Sequence, residues 1–301
     1  MALTRQNFGD LLTPGQSKIF FDSYNEFDPQ YTKIFKLEKS YKQSETIPHV
    51  GSFGLWSANT EGSAIPMEDI EAGTSATFVH KRFDKGYEIT WEMLQDDQYG
   101  IFKGTAGNGG NARLLGRSLR ATVETEAAKV LSDGFTVNGY DGTPLFSAGH
   151  KFKSTSTATH TNLVTGVLND ANLKAACKAL RTQKDASGVA LIAAVPEKLI
   201  VPPDLEFTAR ALVNSIQVAG SSLNDANTLP ALEVVVLDYL TSPTAWFVQG
   251  KGCDNLMFFW REEPYFGSQP VAKKMDWFYY GFARFSCGYA DWRGIVGSKG
   301  V

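Results

Sequence analysis

The chain has 301 residues, of which 43% are hydrophobic, 12% aromatic and 20% charged, and 29 Lys/Arg against 32 Asp/Glu leave a formal net charge of −3. This composition excludes a disordered chain, which would be poorer in apolar residues and richer in net charge. It also lacks the Gly-x-y period of a fibre and the basic footprint of a dedicated nucleic-acid binder. Cys177, Cys253 and Cys287 are odd in number, widely spaced and without a C-x-x-C, which excludes a disulfide framework and argues against zinc. The longest apolar runs, Val189–Val195, Val234–Leu237 and Leu256–Trp260, fall well short of a membrane span. Met1–Leu12 lacks a basic segment followed by an apolar one, so the reading is a soluble protein of a reducing compartment.

In chain order, residues 1–30 are weakly patterned. Ser17–Asn25 predicts a short helix, and Phe20 and Phe21 could anchor an arm on a neighbour. Residues 31–44 alternate, with Phe35, Leu37, Lys39 and Tyr41 on one face. Residues 76–91 alternate again through Thr77, Val79, Lys81 and Phe83, then, after a slip near Asp84–Gly86, through Tyr87, Ile89 and Trp91. Between them, residues 45–75 are rich in Gly, Ser, Pro and Glu, so the whole predicts a long hairpin with a long irregular tip. Loops of that length inside a compact domain are usually functional.

A glycine-rich stretch, 104–110, precedes the strongest helical signal. From Asn111 to Leu131, Leu115, Leu119, Val123, Ala127 and Leu131 recur every four residues. Arg113, Arg117, Arg120, Glu124 and Glu126 decorate the rest of this helix, which would be about 31 Å long. Gly134 ends it, and 135–165 reads as loop with an Asp141-Gly142 turn. From residue 166 helices and strands alternate. Asn169 caps a helix bearing Leu173, Ala176, Cys177 and Leu180, and Pro203 opens another with Leu205, Ala209, Leu212, Val213 and Ile216. Strands are expected at Val189–Val195, Leu199–Val201, Leu232–Leu240 and Thr244–Gln249. Residues 146–250 therefore read as a separate α/β subdomain, flanked by aromatic strands at 255–262 and 277–290.

Few constellations carry chemistry. Gly107-Asn-Gly109-Gly110-Asn-Ala112 fits G-x-G-x-x-A, but the preceding Asp97–Lys103 is not a buried strand and no acidic-tipped strand follows. Asp141, Ser147 and His150 lie close in sequence without a nucleophile elbow, and reading them as a self-satisfied loop suffices. His49, His80 and His160 are scattered with no ligand spacing, and the acidic cluster Glu61, Glu68, Asp69 and Glu71 lacks a calcium-loop pattern. No catalytic residue, cofactor or metal is expected. The unusual features are features of shape.

The order of those shapes resembles the HK97-type phage capsid fold: arm, extended hairpin, long helix, inserted α/β domain, returning strands. Local strings resemble the major head subunit of Mu-like phages: Asp96–Phe102 before the helix, Asp141-Gly142-Thr143-Pro144-Leu145-Phe146-Ser147-Ala148-Gly149-His150 after it, Leu199–Glu206, Ala245-Trp246-Phe247 and Tyr280-Gly281-Phe282-Ala283-Arg284. The resemblance spans roughly residues 20–295. It implies an α+β chain with an N-terminal arm (1–30), an E-loop hairpin and its base (31–91), a P-domain with spine helix 111–131 (92–145), an A-domain (146–250) and returning P-domain strands (251–301). It implies a major capsid protein, made in the host cytoplasm and located in the virion. The subunit would assemble with itself into hexamers and pentamers of an icosahedral head around double-stranded DNA held without specific binding. A separate scaffolding protein, a portal and a decoration protein would be further partners, with no membrane. Glu45, Phe53, Leu55, Trp56, Glu61, Glu68, Asp69 and Glu71 of the E-loop would touch a neighbouring subunit, the acids docking on Arg113, Arg117 and Arg120; the alternative is that the acids only keep the loop soluble. No lysine or arginine stands between Lys42 and Lys81, so a cross-link from a loop lysine, as in some relatives, is not expected. A nucleotide-binding α/β enzyme and another virion protein, of tail or decoration type, are the alternative classes.

Overall fold

The structure is a computed structural model that describes residues 8–69, 72–90, 92–93, 96, 110–152, 157–217, 226–271, 274 and 276–301. Asp97–Lys103, the glycines before Gly110, Trp91 and Glu71 lie outside the described residues. Two large sheets, two two-stranded pairs and four α-helices make up the described part. The helices are α1 (Phe8–Tyr24), α2 (Asn111–Ser132), α3 (Asp170–Arg181) and α4 (Glu206–Asn214).

Helix α2 follows the four-residue recurrence of its apolar positions, and Leu115, Val123, Ala127 and Leu131 are buried along one stripe. That stripe lies on a four-stranded sheet of order β1-β11-β12-β4, formed by Lys36–Lys39, Leu256–Pro270, Trp277–Tyr289 and Lys81–Ile89. The long antiparallel ladder of β11 and β12 supplies the aromatic floor. Phe258 and Phe285 stack at 5.1 Å and Phe83 of β4 stacks on Phe285 at 4.6 Å. Val123, Ala127, Leu131, Phe258, Ala283 and Phe285 belong to one core cluster.

The expected hairpin strands are shorter and displaced. Residues 31–44 do not run as one strand, because Tyr31, Ile34 and Phe35 are all buried and a 3₁₀ turn over Tyr31–Lys33 is needed to place them. The chain then forms β1, which pairs in parallel with β11, and only afterwards β2 (Ser44–Val50). Residues 76–91 likewise divide at His80 into β3 (Ala72–Val79), paired with β2, and β4, paired with β12. The slip expected near Asp84–Gly86 is absent, since the β4–β12 register runs unbroken from Lys81 to Ile89. The hairpin is thus the ribbon β2–β3.

Strands β5 (His150–Lys151) and β6 (Thr159–His160) form a small separate pair. The second large sheet has order β7-β13-β10-β8-β9, from Leu163–Val164, Ile295–Ser298, Trp246–Gly250, Pro196–Val201 and Glu233–Val236. Helices α3 and α4 cover it, and Asn169 caps α3 by accepting the Asn172 amide at 2.7 Å. Strand β13, expected among the returning strands, lies inside this sheet. Residues 189–195 do not form the expected strand. Ala193 takes a positive φ of 54°, Gly188 one of 74°, and Val189, Leu191, Ile192 and Val195 stay exposed.

Helix α1 is longer than the Ser17–Asn25 prediction and crosses α2 backbone to backbone at Gly116. A Cβ there would collide with the Phe20 carbonyl oxygen and sit 3.3 Å from the Tyr24 amide nitrogen. Phe20 is fully buried against Phe266, at 5.1 Å, and Leu115, so it anchors the arm on its own chain rather than on a neighbour. Gly116→Ala is expected to lower the urea midpoint by the equivalent of about 1–3 kcal/mol. Gly15→Ala in α1, where nothing lies within 4 Å, is the control, and its midpoint should hold or rise slightly.

Candidate functional site

The ribbon β2–β3 projects from the sheet and ends in residues 51–69, which carry most of the sequence-derived contact residues. Phe53, Leu55 and Trp56 are exposed, Trp56 to 97%, and Ile65 and Met67 add two more exposed apolar side chains. Glu61, Glu68 and Asp69 are exposed on the same tip. Glu68 also accepts the Gly54 amide at 3.0 Å and so ties the two arms of the loop together. A two-stranded ribbon presenting this much apolar surface has no core of its own to bury it. Where the strands give way to the loop, Ser52 donates to Asp185 at 2.7 Å and the His49 ring stacks on Tyr140 at 4.1 Å. Glu45 is not part of the tip. It sits at the base, held by Ser40 at 2.7 Å and Lys42 at 3.0 Å, which keep its carboxyl below the usual range.

The three arginines of α2 have partners within the chain. Glu26 of the arm receives Arg117 at 2.7 Å and 2.8 Å and Arg113 at 3.1 Å. The hydrogen bonds from Arg117 hold the Glu26 carboxyl down at about 2 against a smaller burial effect. Arg120 is not on the surface. It is 8% exposed, its guanidinium lies 3.9 Å from the Tyr24 ring centroid, and its Nε donates to the Tyr24 carbonyl at 2.8 Å. Glu124, expected among the surface decorations, is also buried; its two carboxylate oxygens accept the backbone amides of Gln30 and Tyr31 at 3.0 Å and 3.1 Å. Burial raises the Glu124 carboxyl, and those two amides and Arg120 counter it. One helix face thus receives the chain from Tyr24 to Tyr31. A buried acid one helical turn beyond a buried arginine was the available signal, but the sequence alone does not show what covers it.

Asp141, Ser147 and His150 do not form a nucleophilic triad. His150 is buried; its Nδ1 contacts Asp141 at 2.7 Å and its Nε2 faces the Leu145 carbonyl at 3.1 Å. Ser147 Oγ instead accepts the Gly149 amide at 3.1 Å. The His150 ring stacks on Trp292 at 4.4 Å, so this loop staples the two sheets together. Among the described residues, no group of three or more His, Cys, Asp or Glu could hold a metal ion, and no helix is long and apolar enough to cross a membrane.

These features are those of a shell-forming subunit: a mixed helix-and-sheet body from which an apolar-tipped ribbon extends. Comparison of folds agrees. The chain is similar to the procapsid protein of bacteriophage JBD30, at 15% identity and a TM-score of 0.52 over 98% of this chain and 76% of that one. It is similar to the mature capsid of bacteriophage PhiM1, at 10% identity and a TM-score of 0.59 over 90% of this chain and 87% of the other. It is also similar to the capsid of the native GTA particle, at 13% identity and a TM-score of 0.55 over 90% of each chain. No curated protein gave a match. The architecture is therefore the HK97-like capsid fold. The family model described as phage capsid protein matches residues 73–298, and the chain belongs to that family.

The arm contact carries a test. Since the folded Glu26 carboxyl lies below its ordinary value of 4.5, its contribution is complete above that value and disappears as pH falls toward about 2. Glu26→Gln should flatten that part of the Tm-versus-pH curve below pH 4.5, and salt should weaken the wild-type effect.

Proposed function

We propose that this chain is the major capsid subunit of a tailed phage of the Mu-like group, assembling into the hexamers and pentamers of an icosahedral head around double-stranded DNA. The observation that carries this reading is the β2–β3 ribbon, whose apolar tip is exposed in a member of the phage capsid family and needs a partner surface. In this assignment residues 1–30 are the arm, the ribbon and its base form the E-loop, α2 and the four-stranded sheet form the P-domain, and the five-stranded sheet forms the A-domain. Synthesis in the host cytoplasm, a separate scaffolding protein, a portal and a decoration protein belong to the same reading and rest on the resemblance.

Phe53, Leu55 and Trp56 supply the contact energy of the E-loop on an adjacent subunit, because buried aromatic anchors dominate interfaces. Glu61, Glu68, Asp69 and Glu71 set register through charge, each exposed pair contributing about 0–1 kcal/mol. Their docking on Arg113 and Arg117 requires those arginines to exchange Glu26 for a neighbour's acid; Arg120 is buried and does not take part.

Electron microscopy of the purified chain is the direct test, with closed shells or capsomers expected and monomers or tubes contradicting the proposal. Trp56→Ser combined with Met67→Ser should leave folding intact and abolish closed shells, since both side chains are almost fully exposed. Boiled, reduced particles should run as a single band on a denaturing gel. Binding of free subunits to duplex DNA should be weaker than micromolar at physiological salt, because a net charge of −3 releases few counterions.

A further inference from the structure

Helix α2 covers one face of the four-stranded sheet. On β12, Tyr279, Ala283 and Phe285 turn toward that helix and are buried. The alternate residues Phe278, Tyr280, Phe282 and Arg284 turn the other way and are only half-buried. Those three aromatic residues belong to none of the core clusters. Their rings lie down on the sheet. Gly86 of β4 and Gly267 of β11 stand directly opposite Tyr280 on either side. A Cβ at Gly86 would collide with the Phe278 ring, and one at Gly267 would come within 2.9 Å of the Tyr265 and Tyr280 rings. The missing side chains let the rings spread over the neighbouring strands instead of standing up from them. Phe278 and Tyr280 are inclined by only 17° at 5.7 Å, and Tyr265 follows at 6.3 Å from Tyr280 and 5.2 Å from Phe282.

One end of this row of rings is bordered by arginines. Arg82 of β4 and Arg284 of β12 are direct cross-strand partners, and the Arg82 guanidinium lies over the Phe282 ring at 5.8 Å. Strand β11 gains one residue between the pairs Trp260–Phe285 and Glu262–Arg284, and that residue is Arg261. Like charges set directly opposite weaken a sheet. The chain supplies counter-charge for only one of the three. Asp84 pairs with Arg82 at 2.7 Å. Arg261 and Arg284 form no ion pair among the described residues, and Nε of Arg261 is buried without a hydrogen-bond partner. The other acids on this side do not answer them: Glu88 is taken by Lys274 at 3.4 Å, and Glu262 stays exposed beside Arg284.

We propose that this face binds single-stranded nucleic acid without reading its sequence, with bases stacked on Phe282, Tyr265, Tyr280 and Phe278 and phosphates held by Arg261 and Arg284. Two features commit the surface to that partner. Guanidiniums without a carboxylate of their own are complementary to an anion, and they match phosphate geometry. A ring that lies against its own sheet turns its open face to a planar group, and every base has such a face. Aromatic stacking on a sheet, with cations at its border, serves other single-strand binders in the same way. A duplex hides its base faces in its own stack and offers only phosphates, and a chain of net charge −3 releases few counterions to it. An acidic polypeptide could answer the arginines but has no row of planar groups for the rings. The inference goes beyond the capsid assignment and does not depend on it.

The experiment uses the full chain as free subunits. Fluorescence anisotropy follows a labelled oligo-dT strand of about 12 nucleotides, a duplex of equal length and a poly-Glu peptide. The single strand should bind at least about tenfold more tightly than the duplex at physiological salt. Tyr280→Leu and Tyr265→Ser, which remove stacking surface, should each weaken it about fivefold or more. Arg261→Gln combined with Arg284→Gln should weaken it and flatten the slope of log K against log salt by about 1.4, two phosphates at about 0.7 each. Arg210→Gln, on α4 and away from this sheet, should bind as wild type. Circular dichroism checks that each variant folds. If Tyr280→Leu does not fold, Tyr265→Ser, whose residue is 49% exposed, and the arginine pair decide the question. No single-strand binding, a duplex bound as tightly, or binding that survives the ring variants overturns the proposal. Poly-Glu bound as tightly as the strand also overturns it and reassigns the face to an acidic polypeptide. Electron microscopy of shells reads the capsid assignment separately, so either can fail alone.

Discussion

Val123, Ala127 and Leu131 press one stripe of α2 onto Phe258, Ala283 and Phe285 of the β11–β12 ladder, and every other part of the molecule is mounted on that contact. The opposite side of the helix takes the arm through Arg120, Glu124 and Glu26. The flank of the ladder takes β4 and, through it, the ribbon. Leu145, Phe146, Phe247 and Ile295 extend the same core toward the second sheet. Close packing of large rings makes this assembly stiff, because interiors at crystal-like density do not deform gradually.

Stiffness there contrasts with what surrounds the ribbon. Its tip has little internal support, whereas the strands behind it rest on the body: Ala76 and Phe78 pack with Met257, Phe259 and Ala290, Ser52 reaches Asp185, and the His49 ring stacks on Tyr140. The ribbon is thus seated on the body along its strands and exposed at its apolar tip.

Long-range partners explain which parts were legible in the sequence. Helix α2 and strands β11 and β12 were readable because their apolar periodicity is local and strong. The change of strand partner at His80 was not, because alternation continues through a single residue whose contacts include Ser286, more than two hundred positions away. Glu124 looked like solvent-facing decoration for the same reason: the amides it accepts belong to Gln30 and Tyr31. The basic stripe at Arg113, Arg117 and Arg120 was visible, but its intrachain partners on the arm were not, since isolated Glu26 carries no motif. The loop 189–195 misled by composition, being apolar yet interrupted by left-handed backbone at Gly188 and Ala193.

The order in which strands enter the two sheets has a further consequence for synthesis. The chain lays down β7, β8, β9 and β10, leaves for β11 and β12, and only then returns with β13, which slots between β7 and β10. Until that return, a ribosome-bound chain holds β10 with one open edge in the middle of an unfinished sheet. Open edges of this kind invite pairing with other nascent chains. The five-stranded sheet can therefore close only after both strands of the β11–β12 ladder have been made, which couples completion of one sheet to that of the other.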